Sequence, residues 1–249
     1  MHETVRVLDM ETDLVSLPEV TDTVLTWARN RESRYVCVAN VHMCMECVDH
    51  PSFRKVVNDA DLTVPDGRPL VWMQYLLGYH HAQQVRGSDL VRALCTAAEK
   101  SGVSVGFYGG APEVLDRFVA VLNTRFPNLQ IAFCHAPPFR PLSEEELAAD
   151  VERINNSGVD ILFVGLGCPK QERWMAQQKG SVQAVMLGVG AAFDFLAGVK
   201  PHAPRWIQVA GLEWLFRLMC EPKRLWRRYL LLNPRFILLA GKQLIYERF

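Results

Sequence analysis

No run of 18 consecutive apolar residues occurs in this chain, so no segment is expected to cross a bilayer as a helix. The first residues, MHETVRVLDMETD, lack the apolar core of a secretory signal, which points to a cytoplasmic protein. Net charge is also missing, since 27 Lys and Arg balance 27 Asp and Glu. Seven cysteines, an odd number scattered over 249 residues, do not form a disulfide framework and fit a reducing compartment. There are no internal repeats and no low-complexity tracts. Neither G-x-x-x-x-G-K-[ST] nor a G-x-G-x-x-G after the first strand is present, which argues against a P-loop enzyme and against an NAD-dependent oxidoreductase.

What is present is an ordinary globular balance, with 49% hydrophobic and 22% charged residues. Short β-branched and apolar runs bounded by Gly, Pro, Asn or Asp predict strands over 35–39, 62–64, 105–108, 131–134, 161–165 and 184–187. Helices are expected between them. One starts at Ser88 or Asp89, one carries Pro112 in its first turn, and one opens with a Ser143–Glu146 capping box. Strands alternating with helices imply an α/β fold, a mostly parallel sheet with helices on both faces. After residue 199 the composition changes. Residues 200–249 hold ten Lys and Arg against three Glu, so this segment is seven charges positive and residues 1–199 are seven negative. The expected division is therefore an α/β catalytic domain over 1–199 and a basic, aromatic-rich helical appendage over 200–249. Helices are predicted in that appendage near 212–219, 222–232 and 235–246. The positive tail calls for an anionic partner, and its interleaved Trp206, Trp214, Trp226 and Tyr229 suit a membrane surface. A nucleic-acid partner is disfavoured because the rest of the chain is acidic.

In a parallel α/β sheet, ligands bind at the carboxyl ends of the strands. Four predicted loops lie there. The segment 165–172 offers Gly165 and Gly167 for close backbone approach, a helix N-terminus, and Lys170, Gln171 and Glu172. A diphosphate suits that loop, and a plain turn is the alternative. The segment 187–194 brings Gly188 and Gly190 next to Asp194, which could bind a sugar hydroxyl or simply cap a helix. Gly109 and Gly110 precede the Pro112 helix. Asp66, in Pro65-Asp66-Gly67, follows a strand beside the end of the 35–39 strand, where Asn40 and His42 emerge. A carboxylate there could serve as a general base, or merely make an Asp-Gly turn.

Two patterns invite a metal reading without supporting it. Asp59-Ala60-Asp61 has the form of a cation-binding DxD but falls at the start of a strand, the end opposite the site. His42-x-Cys44-x-x-Cys47-x-x-His50 has zinc-like spacing but no second ligand pair, and its cysteines share an apolar helix face. No metal and no cofactor are expected.

Together, ANVHM (39–43), ADLTVPDGRPLVW (60–72), QVRGSDL (84–90), FYGGAPEVL (107–115), APPF (136–139), VGLGCPKQERWM (164–175), GVGAAFDFLAG (188–198) and the stretch 203–229 resemble the WecG/TagA/CpsF family of glycosyltransferases. The resemblance implies a Rossmann-like α/β fold and metal-independent, inverting transfer of a hexose-type residue from a UDP-sugar. N-acetylmannosamine, its uronic acid and a glucose-type sugar are the donor alternatives. It implies a polyprenyl-diphosphate-linked saccharide as acceptor, in synthesis of a cell-surface polymer at the inner face of the plasma membrane. Carried over by motif, Asp66 is the base, with Asn40 and Gln171 as further catalytic residues. The strand-end loops add Arg86, Gly109, Gly110, Gly165, Gly167, Lys170, Glu172, Gly188, Gly190 and Asp194 as the expected substrate-binding set, and the resemblance implies that Arg205, Arg217 and Arg224 close over the site. Val38 stands where many relatives carry a small hydroxylated residue, and His202 where many carry Arg. A homo-oligomer would be one way to cover the tail, and a non-catalytic nucleotide-binding module is the alternative function.

Overall fold

A computed structural model describes residues 2–248, with the side chains of residues 205, 209 and 248 outside that description. Six strands form one parallel sheet: β3 (Arg34–Ala39), β4 (Leu62–Pro65), β5 (Val105–Gly109), β6 (Ile131–His135), β7 (Ile161–Gly165) and β8 (Val185–Gly188). Their spatial order is β4-β3-β8-β7-β5-β6, and every neighbouring pair is parallel. These are the six strands read from the sequence, each within about two residues. Strand side chains alternate with period two, so each strand feeds two cores. Val36, Val38, Phe107, Phe163 and Leu187 face one cluster. Tyr35, Cys37, Ala39, Tyr108, Leu162, Val164 and Met186 face the other.

The first cluster is covered by α1 (Leu17–Arg29), α5 (Gly87–Ser101), α6 (Pro112–Arg125) and α9 (Ala192–Leu196). The second is covered by α2 (Val41–Asp49), α3 (Pro51–Asn58), α4 (Arg68–Leu76), α7 (Glu144–Asn156) and α8 (Lys170–Gln178). Helices on both faces complete the expected α/β architecture. The Ser143–Glu146 capping box opens α7 and Pro112 opens α6. The Ser88 or Asp89 cap is not what forms. Helix α5 begins at Gly87, with Arg86 at the N-cap and no side-chain capping bond, because a guanidinium has no acceptor; the Gly87 N–H is bound by Asp66.

A hairpin of β1 (Thr4–Val7) and β2 (Met10–Asp13) precedes α1, and neither hairpin nor α1 was read from the sequence. In the tail lie α10 (Arg205–Val209), α11 (Glu213–Cys220) and α12 (Pro222–Arg248). The two helices expected over 222–232 and 235–246 are one, running through Pro234. An internal proline costs a backbone hydrogen bond. Packing offsets it, because Phe236 and Ala240 are buried in the second cluster and Arg235 pairs with Asp49 at 2.7 Å. Gln243 also ties α12 to the hairpin, accepting from Leu8 N and donating to Arg6 O, both at 2.8 Å.

Candidate active site

All the glycine loops and Asp66 lie at the carboxyl edge of the sheet, as the topology requires. β3 ends at Ala39, and Asn40 then caps α2, its Oδ1 accepting from His42 N (3.1 Å) and Met43 N (3.3 Å). β4 ends at Pro65, and the Asp66 backbone N–H donates to Ala39 O at 2.8 Å. That bond sets Asp66 beside Asn40. Asp66 Oδ1 accepts from Gly87 N at 2.9 Å, so the positive end of α5 faces it. Gln84 Nε2 holds the Asp66 carbonyl.

Two cavities meet at this point. The larger, about 1130 Å³, lies over the ends of β3, β8 and β7 and is walled by Gly167, Gln171, Gly190, Arg86 and Arg224. The smaller, about 690 Å³, lies between α4 and the tail, with Arg68, Gln84, Gln208, Trp214, Tyr229 and Asn233 on its wall. Asn40, Asp66, Glu213, Arg217 and Arg228 line both. Asp66 therefore stands in the partition, enclosed by protein and reached through the cavities.

Burial dominates its ionisation. It pushes the Asp66 carboxyl up to about 6, with Arg217 opposing, Glu213 reinforcing, and Gly87 N–H and Arg86 opposing. Four arginines (86, 217, 224 and 228) line the larger cavity against two carboxylates, Asp66 and Glu213. Glu213 is engaged, bonded to Arg217 Nη2 at 2.7 Å and 3.9 Å from Arg86 Nε. The Nε atoms of Arg86, Arg217 and Arg228 are buried without a hydrogen-bond partner. Such a cluster has the charge and the free donors that an anion would satisfy. Arg228 was not singled out in the sequence. Its signal is helical spacing, since Arg224 and Arg228 are i and i+4 on α12 and share a face. His42 adds no charge here, because burial, then Arg228, press its imidazole down to about 3.

The larger cavity thus gathers Asn40, Asp66, Arg86, Gly167, Gln171, Gly188, Gly190, Arg217 and Arg224. Gly109, Gly110, Gly165 and Lys170 line a separate cleft of about 880 Å³ beside β5 and β7, with Tyr108, Phe139 and Trp174. Expected together, Lys170 and Gln171 part because successive helical positions differ by about 100°, so Lys170 faces this cleft and Gln171 the larger cavity. The Gln171 amide is already engaged within the protein. Its Oε1 accepts from Gly167 N and Gly190 N, each at 3.1 Å, and its Nε2 donates to Glu172 Oε1 at 2.7 Å.

Two residues expected at the ligand lie away from these cavities. Glu172 is fully buried behind Gln171, on the sheet side of α8, and lines none of these cavities. Asp194 sits on α9, where its carboxylate pairs with Lys200 Nζ at 3.3 Å rather than entering a cavity. The Arg205 side chain lies outside the described residues. The glycines also do packing work. A Cβ on Gly109 would come within 2.7 Å of the Gly165 backbone, and one on Gly165 within 2.5 Å of Phe193.

The DxD and zinc patterns have other uses. Asp61 pairs with Arg34 (2.7 Å) and Lys179 (2.8 Å) and accepts from Tyr35 N (2.9 Å), at the opposite end of the sheet. Cys44 and Cys47 are buried in the second cluster. No helix among the described residues is long and apolar enough to cross a membrane.

A parallel α/β sheet carrying an enclosed carboxylate and an arginine cluster at its carboxyl edge has the features of an enzyme acting on an anionic substrate. The chain belongs to the glycosyl transferase WecG/TagA/CpsF family, which it matches over residues 5–248. It is an enzyme of that class, a glycosyltransferase. It is 30% identical over 213 residues to the N-acetylglucosaminyldiphosphoundecaprenol N-acetyl-beta-D-mannosaminyltransferase of Bacillus spizizenii, covering 85% of this chain and 80% of the relative. A protein of the same name from Staphylococcus aureus is 27% identical over 226 residues, covering 90% of this chain and 87% of the relative.

Proposed function

We propose that this enzyme moves an N-acetylmannosaminyl residue from a UDP donor to the sugar of an N-acetylglucosaminyl diphosphopolyprenol, with inversion and without a metal ion. The names of the relatives motivate the donor sugar and the acceptor. The observation that carries the mechanism is the position of Asp66 in the wall between two cavities. An inverting transfer needs one base with the acceptor hydroxyl on one side and the donor anomeric carbon on the other.

In this reading the larger cavity takes the donor. Its diphosphate lies against Arg86, Arg217, Arg224 and Arg228, and would satisfy the unpartnered Nε–H groups of Arg86, Arg217 and Arg228. The smaller cavity takes the acceptor sugar, with Trp214 and Tyr229 as apolar walls and Gln84, Gln208 and Asn233 as hydroxyl partners. Asp66 removes the acceptor proton as the acceptor oxygen bonds to the anomeric carbon. The bond from that carbon to the β-phosphate oxygen breaks, and the electron pair leaves on UDP. The arginines meet the charge that develops there, the part a metal ion plays in other transferases.

The tail fits a peripheral site on the inner face of the plasma membrane. Trp206, Met219, Leu230, Leu231, Ile237 and Leu238 are exposed, with Lys223 and Arg227 among them. Apolar groups with interspersed cations suit an anionic leaflet, where the lipid-linked acceptor resides. The division into a catalytic domain over 1–199 and an appendage over 200–249 is kept as a division of labour, since Arg217 and Arg228 reach back to Asp66 and Asn40. Asp66→Asn tests the central role. Acceptor-dependent turnover is expected to fall by about 10²–10⁴ with UDP binding retained, and turnover near that of the wild type would refute the assignment.

A further inference from the structure

We infer that Glu172 is a positioning residue for glycosyl transfer, holding the Gln171 amide in the one orientation that ties together the two glycine loops flooring the larger cavity. The inference rests on reading that cavity as the donor site. The two loops, 166–169 and 189–191, follow β7 and β8, and the ladder between those strands ends with the bond from Val189 N to Val164 O at 3.0 Å. Gly167 (φ +80°) and Gly190 (φ +54°) both lie in the left-handed region, so the local chain alone does not fix them. One atom joins them, Gln171 Oε1, which accepts from both backbone N–H groups at 3.1 Å.

That bridge depends on which way the amide faces. Turned over, Gln171 would aim its NH₂ at two N–H groups, leaving buried donors facing one another. Each unsatisfied group would cost about 1–3 kcal/mol. The selection comes from the other end of the amide. Glu172 Oε1 accepts from Gln171 Nε2 at 2.7 Å, and Gln171 itself is only 3% exposed, so no solvent acceptor stands in. The surroundings are built around this pair. A Cβ on Gly188 would come within 3.0 Å of Gln171 Nε2, so only glycine leaves the amide its space.

Packing alone does not account for Glu172. It is fully buried, and burial raises its carboxyl to about 7 against the opposing hydrogen bonds from Gln171, its own backbone N–H and the Cys168 thiol. A fully buried carboxyl is costly unless its acceptor oxygens are needed. What it supplies is an acceptor where a donor would invert the bridge. Its action on substrate passes through Gln171 and the loops, since it lines neither the donor nor the acceptor cavity.

The test uses the full chain and two readouts: UDP affinity by calorimetry, and hydrogen exchange of the Gly167 and Gly190 amides without ligand. Glu172→Leu removes the acceptor at similar volume. Exchange at both amides should rise at least about tenfold, and UDP affinity should fall by about tenfold with smaller loss in kcat at saturating donor. Glu172→Gln, which can still turn an oxygen to Gln171, should recover most of both. If Glu172→Leu does not fold, the swap decides. Gln171→Glu alone places two carboxyls together and should lose UDP affinity. Gln171→Glu with Glu172→Gln restores the chain of donors and acceptors with the roles exchanged, and should regain it. Unchanged amide exchange in Glu172→Leu, or a swap no better than Gln171→Glu, would overturn the inference. Amides that respond as expected in a protein that binds no UDP would support the positioning role and refute the donor assignment instead.

Discussion

Arg228 on α12 donates through Nη2 to Oδ1 of Asn40 at 3.2 Å, joining the tail to the first strand-end of the sheet across 188 residues of sequence. The same Oδ1 caps α2, so the guanidinium is added to a cap that is already complete. Arg228 is therefore held near Asp66 without being neutralised, and burial lowers its pKa from the ordinary value.

Arg228→Ala should accordingly weaken UDP binding by about 10–100-fold, the worth of one charge-assisted hydrogen bond to a phosphate. The α2 cap survives, so the melting temperature should change little. Calorimetric titration with UDP, alongside thermal melts, checks both. Unaltered UDP affinity would remove Arg228 from the donor site.

The ionisation of Asp66 gives opposite signs for activity and stability. As base it must be deprotonated, so kcat/KM is expected to rise with pH through about 6 and then level. Stability runs the other way. Its folded-state pKa lies above the ordinary value of 3.8, so the folded chain holds the proton more tightly, and stability is lost as pH rises between 3.8 and about 6. The displacement sets an upper bound of roughly 3 kcal/mol. Asp66→Asn should thus melt higher than the wild type at pH 7 and above, and the gain should vanish towards pH 4. A melting temperature unchanged at both pH values would contradict the burial argument.

The sheet was legible because its strands are short apolar runs closed by Gly, Pro or Asn, and the loops inherit their place from the strands. Other features depend on contacts made far away in sequence. The hairpin of β1 and β2 has four-residue strands bearing Arg6, Glu11 and Asp13, and it is held by Gln243 from the other end of the chain. Motif order grouped Lys170, Gln171 and Glu172, but only the phase of α8 shows that they face a cleft, the larger cavity and the core respectively. Asp194 follows a loop of small residues, which suited either a hydroxyl ligand or a helix cap, whereas Lys200, six residues on, pairs with its carboxylate. Pro234 suggested a helix break that Phe236 packing overrides.

Glycine at 109 is expected to be indispensable. Its φ is +115°, and a Cβ would lie 2.7 Å from the Gly165 carbonyl carbon and oxygen. Gly109→Ala should cost about 2 kcal/mol or more through backbone strain and overpacking. Gly102, at φ +68° with nothing within 4 Å, isolates the strain alone, and Gly102→Ala should cost about 1 kcal/mol. Chemical denaturation of the two variants gives the comparison, and equal losses would mean that the Gly109–Gly165 contact carries no weight.

Membrane attachment is best tested on the helix surface rather than by deletion. Truncation after Lys200 would uncover the core that Phe236 and Ala240 cover. Leu230→Glu with Ile237→Glu alters two exposed positions. Binding to anionic vesicles should fall by about tenfold or more as two apolar contacts are replaced by repelled charges, with UDP affinity unchanged. Vesicle binding equal to that of the wild type would place the membrane contact elsewhere.

The central claim is that Asp66 joins two substrate cavities in a metal-free transfer. UDP release should be measured from a panel of UDP-sugars, with and without an N-acetylglucosaminyl diphosphopolyprenol acceptor, in the presence and absence of EDTA. The expected result is release from UDP-N-acetylmannosamine that requires the acceptor, persists in EDTA and falls by about 10²–10⁴ in Asp66→Asn. Release that ignores the acceptor, stops in EDTA or survives Asp66→Asn would contradict the account.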